Sequence, residues 1–241
     1  MSKVLVLARS GFGKSTSIGK DDELGIIGLD PRTTFIISVK NKPLPFFNST
    51  NLFKITGINN PKEGNRVITN SGEEIASLVL ELSSENCPFT DIIIDDMNYI
   101  MQDYYMENAL KSGWDCPKKI GYFMGKLFRA IDFCGESKNI YVLAHSEETV
   151  GNDGRTYVKF KTTGRMVDEY CTPEGLFDIV LVGRSKFNAT TKQVVREFLT
   201  NEDEFISSAK SPRGMFDLYI PNDLGLVKLN ITKYYNGEIN H

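Results

Sequence analysis

The residues able to do chemistry stand at three places. The first is Ala8-Arg9-Ser10-Gly11-Phe12-Gly13-Lys14-Ser15-Thr16, near the N-terminus. Gly11 and Gly13 accept dihedrals closed to other residues, so successive N–H groups from Ser10 through Phe12 to Ser15 can converge on an anion. Lys14 adds a mobile positive charge for terminal phosphates, the Ser15 hydroxyl suits Mg²⁺, and Thr16 supports the start of a helix. That is the chemistry of a polyphosphate cradle at a strand-to-helix turn. Its pattern departs from G-x-x-x-x-G-K-[ST] at the first position, where Ala8 stands for glycine. Alanine is the smallest substitute at a position that shapes the turn, so the cradle is expected to tolerate it.

The second place is Asp95-Asp96, closing the run Asp91-Ile92-Ile93-Ile94. Adjacent carboxylates repel unless a cation or solvent compensates them. Asp95 is expected to hold Mg²⁺ beside Ser15, as a Walker B aspartate does. Asp96 either polarises an attacking water or caps the following helix. The third place is His145, after Asn139-Ile140-Tyr141-Val142-Leu143-Ala144. It is either a sensor of the terminal phosphate or a hydrogen-bonded structural histidine.

The elements that must position these groups are short apolar runs. Lys3–Leu7, Asp91–Ile94 and Asn139–Ala144 read as strands of a parallel sheet covered on both faces, which puts their C-terminal ends on one rim. Thr33–Val39 reads as another core strand, stopped by Pro43 and Pro45. A helix is expected over about Ser15–Asp22, another from Ser71 with Ile75, Leu78, Val79 and Leu82 on one face, and two more over Met97–Ser112 and Lys118–Cys134. The stripe Ile120, Phe123, Met124, Leu127, Phe128 and Ile131 is core packing rather than a cofactor box. Leu52–Thr56 and Arg66–Thr69 are short strand candidates. Gly151–Lys161 reads as a hairpin with an Asp153-Gly154 turn. Gly175–Val182 and Val194–Thr200 are expected to pair antiparallel, and Gly225–Ile231 is expected as the last strand. The fold class is α/β, a mostly parallel sheet flanked by helices with antiparallel C-terminal edge strands. One domain is expected over 1–241, with a core of about 1–183 and a β-rich C-terminal extension of about 184–241.

With 241 residues, 41% hydrophobic and 24% charged, the chain can bury a sizeable core. A net charge of −3 excludes a global basic field of the kind that announces nucleic-acid binding. Local basic residues remain: Lys159, Lys161 and Arg165 are candidates for contacting nucleic-acid backbone or a neighbouring protomer's phosphate. Cys87, Cys116, Cys134 and Cys171 lack C-x-x-C spacing and there are two histidines, His145 and His241. A zinc site is therefore not expected, and reduced thiols in the cytoplasm are. No signal peptide or membrane-length segment is visible.

Taken together, these strings resemble a RecA-type ATPase core. They are most similar to the compact RecA-like ATP-binding proteins of bacteriophages, a group that includes single-strand annealing recombination proteins. "GLDPRTTFIISVKNKPLPF" from Gly28, "IIIDDMNYIM" from Ile92, "YVLAHSEE" from Tyr141, "KFKTTGRMVDEYCTPEGLFDIVL" from Lys159 and "AKSPRGMF" from Ala209 carry the resemblance with the Ser10–Thr16 loop. It implies ATP on Ser10 to Thr16, with Mg²⁺ on Ser15 and Asp95; beside it, catalytic roles are expected for Lys14, Asp96 and His145, and the chain is expected to be an ATPase. It also implies a homo-oligomer in which Lys159, Lys161 or Arg165 serves a neighbour's nucleotide, and single-stranded DNA as a partner in recombination, in a host cell's cytoplasm. No glutamate ends the Thr33–Val39 strand, where RecA recombinases place their catalytic base, which makes Asp96 the fallback. The chain starts at its first strand, so protomers are not expected to be linked by an N-terminal segment as RecA recombinases are. Two other readings stand beside this one: an ATP-gated replication or packaging switch with little hydrolysis, and a nucleotide kinase. Against the kinase, the region after Asp96 offers Lys118, Lys119 and Arg129 but no dense arginine lid.

Overall fold

The computed structural model describes residues 1–110, 115–134, 138–163, 167, 169, 171–190 and 192–238. Its strands are β1 (Lys3–Ala8), β2 (Thr34–Ser38), β3 (Arg66–Ile68), β4 (Asp91–Asp95), β5 (Asn139–Val150), β6 (Thr156–Phe160), β7 (Ile179–Asn188), β8 (Gln193–Leu199) and β9 (Tyr219–Pro221). They lie in the order β3-β2-β4-β5-β1-β7-β8-β9, with β6 paired to β5. From β3 to β7 every neighbouring pair is parallel, whereas β7–β8, β8–β9 and β5–β6 are antiparallel. One strand, β5, separates β1 from β4, and its register sets Ala8 opposite His145 and Asp95 opposite Leu143.

The helices are α1 (Ser49–Leu52), α2 (Gly72–Leu82), α3 (Asn98–Glu107), α4 (Asp115–Asp132) and α5 (Leu224–Tyr235). Period-2 alternation divides the strands between two apolar layers. Leu5, Leu7, Ile92 and Ile94 pack with Ile75 and Val79 of α2 and Ile120, Leu127 and Ile131 of α4. Val4, Val6 and Ile93 face the other way, onto Ile18, Leu224, Val227 and Ile231. The triple isoleucine is thus a strand buried on both sides, and the α4 stripe is core.

Several expected elements take another form. The stretch expected as a Ser15–Asp22 helix is a single 3-10 turn, Ser15–Ile18, after which Gly19 is extended. A Cβ at Gly19 would lie 2.2 Å from Phe46 Cγ, so Phe46 packs against the turn's end where no side chain would fit. Leu52–Thr56 is no strand: Leu52 ends α1, and Ile55 makes only an isolated bridge to Arg66. Gly175 and Leu176 belong to a 3-10 turn, Pro173–Leu176, before β7 begins at Ile179. Gly225–Ile231 lies within α5 and is not a strand. Val227, Leu229 and Ile231 alternate with polar residues and so mimic a strand. The Asp223 carboxylate nevertheless accepts from the amides of Gly225 and Leu226, and Leu224, Val227 and Ile231 are buried at helical spacing. The hairpin expected over 151–161 is built from the outer half of β5 and from β6. The Ser112 end of the helix expected from Met97 lies outside the described residues, as do Arg165 and His241.

Candidate functional site

Because β1, β4 and β5 are parallel, the loop after β1, the Asp95-Asp96 pair and His145 arrive at the same rim. The loop after β1 is shaped by its glycines. Gly11 and Gly13 have φ of +77° and +99°. Phe12 N donates to Arg9 O at 3.3 Å. Among the described residues the amides of Ser10, Gly11, Gly13, Lys14 and Ser15 donate to no protein acceptor. Such a run of orphan donors suits phosphate oxygens. Lys14 curls back over the loop, its Nζ donating to Ala8 O at 3.0 Å and Arg9 O at 3.2 Å.

Alanine at position 8 has a structural counterpart across the sheet. A Cβ on Gly183 of β7 would lie 2.6 Å from Ala8 Cβ and 2.7 Å from the Phe12 ring. The methyl that the loop's first position gains occupies space that β7 leaves open. Phe12 is buried and packs on Phe198, with ring centroids 5.9 Å apart.

Ser15 Oγ lies 2.9 Å from both carboxylate oxygens of Asp95. A hydroxyl and a buried carboxylate facing each other are hard oxygen donors suited to Mg²⁺, which is commonly held by one or two protein oxygens together with phosphate oxygens. Among the described residues no group of three His, Cys, Asp or Glu is placed to hold a metal by itself. The donor set fits Mg²⁺ carried in with a polyphosphate, to which the ion would supply charge neutralisation.

Asp96 takes a left-handed backbone, φ +66°, and its carboxylate does not cap α3. Instead it forms an ion pair with Lys42 and places Oδ1 3.6 Å from His145 Nε2. His145 Nδ1 lies 3.5 Å from Lys14 Nζ, and Tyr99 meets the imidazole edge to face at 5.5 Å. The strand end carrying His145 is clamped by Asn98, which accepts from His145 N and donates to the carbonyls of His145 and Lys161. Lys161 N donates in turn to His145 O at 3.0 Å.

Charge in this cluster is under-compensated. Burial brings the Lys14 pKa down to about 8, against the pull of Asp96 and Asp95. Burial and the neighbouring Asp96 push Asp95 up to about 6, with the Ser15 hydroxyl, Lys42 and Lys14 opposing. Burial and then Lys14 hold His145 below the ordinary imidazole value, so it is neutral at pH 7. Burial also acts to lower Lys42, but its contact with Asp96 outweighs that and holds it above the usual lysine value.

The structure therefore brings Ser10–Thr16, Asp95, Asp96 and His145 together. Lys161 adjoins them through its backbone, while Lys159 lies opposite Glu147 in the β5–β6 ladder. Three contributors had no motif to mark them. Lys42 follows β2 by four residues. Asn98 lies two residues beyond Asp96. Asn222, after β9, donates from Nδ2 to Gly13 O at 2.9 Å. A cavity of about 430 Å³ opens beside the loop between Gly13, Thr16, Leu24, Ile26, Val195 and Asn222.

A glycine-bearing loop at the end of β1, a carboxylate-ended β4 and one strand between them, all parallel, belong to an α/β fold whose central sheet is mostly parallel with antiparallel edge strands. A scan against protein-family models finds no match, and neither does a search of the curated proteins. Among solved structures, a KaiC-like protein from the hyperthermophilic archaeon Pyrococcus horikoshii OT3 is similar at 14% identity and a TM-score of 0.45, over 82% of this chain and 77% of that one. No helix among the described residues is long and apolar enough to cross a membrane.

Proposed function

We propose that this chain is a Mg-ATP-binding ATPase of the bacteriophage RecA-like type, working as a homo-oligomer in DNA recombination or single-strand annealing. One observation supports the nucleotide reading: loop amides that have no acceptor among the described residues lie in the same turn as Lys14 and as Ser15, whose hydroxyl faces the Asp95 carboxylate. The triphosphate lies on Ser10 to Thr16, with Ser15 and Asp95 on Mg²⁺ and His145 near the terminal phosphate. The cavity beside Gly13 and Thr16 has the size and partly apolar lining to take ribose and base. Asp96 is the carboxylate placed to take the proton of an attacking water.

Lys14→Ala tests this directly. Titration of Mg-ATP is expected to show a loss of affinity of at least ~100-fold, about 2.7 kcal/mol, and an unchanged affinity would remove the assignment. The DNA role rests on the resemblance and on Lys161, whose backbone adjoins the site, with Lys159 two residues before it in β6. Titration with single-stranded DNA, with and without ATP over a salt series, is expected to show binding that weakens steeply with salt. An ATP-gated switch with little turnover is the second reading, favoured by the Lys42 ion pair that occupies Asp96. Nucleotide affinity without measurable turnover would select it.

A further inference from the structure

We infer that Lys42 is a second phosphate-facing cation, supplied in cis, which leaves Asp96 for the terminal phosphate when the loop is filled. The inference rests on the nucleotide reading given above. It starts from the contrast between the backbone and the side chain of Lys42.

The backbone is fixed. Arg66, itself buried, donates from Nη2 to Lys42 O at 2.6 Å and from Nε to Ser38 Oγ at 3.0 Å. Val39 N is bonded to Asp95 O at 3.1 Å, and Pro43 follows directly. The side chain is tied less: it is 50% exposed, and Asp96 is its one ion-pair partner among the described residues. A rigid base carrying a four-carbon arm with an ammonium at its tip delivers charge over a short arc. The other lysine of this loop, Lys40, is not available, because Asp103 holds it at 2.5 and 2.7 Å and it lies over the Tyr99 ring.

Lys42 also stands in the right company. Asp96 links it to His145, and His145 links to Lys14, so contacts of 3.6 and 3.5 Å complete the path from the Lys42 partner to the P-loop ammonium. It is close enough to lower the Lys14 pKa through space. A terminal phosphate near Lys14 carries more negative charge than the single carboxylate of Asp96, so the ammonium is drawn toward it. One movement then does two things. It places a cation on the equatorial oxygens where charge develops, and it frees Asp96 to act as base. In that step the water oxygen bonds to the γ-phosphorus, the bond from phosphorus to the bridging oxygen breaks, and its electron pair leaves with ADP. The water proton passes to Asp96 and then to solvent.

The test compares Lys42→Met and Lys42→Arg with the wild type. Mg-ATP affinity is expected to fall by less than ~10-fold in Lys42→Met, whereas affinity for ADP with aluminium fluoride, a mimic of the transferring phosphoryl group, falls at least ~100-fold and recovers in Lys42→Arg. The kcat of Lys42→Met is expected to drop about 10²–10³-fold. Amine labelling read by mass spectrometry is expected to show Lys42 protected by ADP–aluminium fluoride. A lysine that merely neutralises Asp96 predicts that Lys42→Met/Asp96→Asn regains the aluminium-fluoride affinity; that recovery, or unchanged labelling of Lys42, overturns the inference. If Lys14→Ala leaves Mg-ATP affinity intact, the nucleotide reading falls first and is recognised separately.

Discussion

The two ends of β4 solve the same problem in opposite ways. Asp91 at its N-terminal end and Asp95 with Asp96 at its C-terminal end are all buried carboxylates. Asp91 is closed in by partners: Lys228 Nζ at 2.5 Å, Thr90 Oγ1 at 2.8 Å, Asn139 Nδ2 at 3.1 Å and Tyr141 OH at 3.3 Å. Its ion pair ties α5 to the sheet. The rim pair has a hydroxyl, a half-exposed lysine and a neutral imidazole, and burial shifts the pKa of Asp95 up and that of Lys14 down, against the charged form of each. A satisfied network stabilises a fold, whereas an unsatisfied one stores electrostatic free energy that a ligand of the right charge releases.

This contrast can be broken at either end. The largest effect is expected from Asp91→Ala, which strands Lys228 and three hydrogen-bond donors: urea unfolding should show a loss of about 3 kcal/mol, and a change under about 0.5 kcal/mol would end the comparison. Asp95→Asn should move stability the other way. Its raised pKa means the charged form is penalised at pH 7, and asparagine keeps an acceptor for Ser15, so the ligand-free protein should gain about 1–3 kcal/mol. The same variant should lose the Mg²⁺ dependence of nucleotide binding, which titration with and without the metal reads out.

The pH profile sharpens the point. Lys14 loses its proton near 8 in the folded chain and near the ordinary 10.5 when unfolded. Between those values the unfolded state binds more protons, so stability rises with pH across that window and the penalty persists below it. Wild type measured against Lys14→Met should show this slope, amounting to about 1–3 kcal/mol, and its absence would mean that the ammonium is well solvated. The smallest effect is expected from Ala8→Gly. It opens a methyl-sized gap against Gly183 and should cost about 1 kcal/mol or less, with nucleotide affinity unchanged.

Where chemistry follows from consecutive residues, the sequence was readable. The loop from Ser10 to Thr16, the Asp95-Asp96 strand end, the His145 strand and the α4 stripe each carry their signal within a few positions, and the parallel class follows from runs too apolar to face water. The antiparallel turn into β8 was legible for the same reason. What misled was local ambiguity. The segment from Gly225 to Ile231 alternates like a strand, and only the Asp223 cap and the packing of Val227 and Ile231 make it helical. The 3-10 turn from Ser15 ends at Gly19, beside which Phe46, distant in sequence, packs too closely for any side chain.

The chain by itself determined the glycine turn after β1 and the set of groups it carries, since amides, a lysine and a hydroxyl within one turn need only neighbouring residues to be arranged. Only tertiary structure decided which charges meet there. Lys42 reaching Asp96, Asn222 holding Gly13 and Gly183 leaving room for Ala8 join residues far apart in the chain. The reason is physical: a local pattern fixes backbone direction, but the field at a buried carboxylate is the sum over whatever the folded sheet brings within a few ångströms.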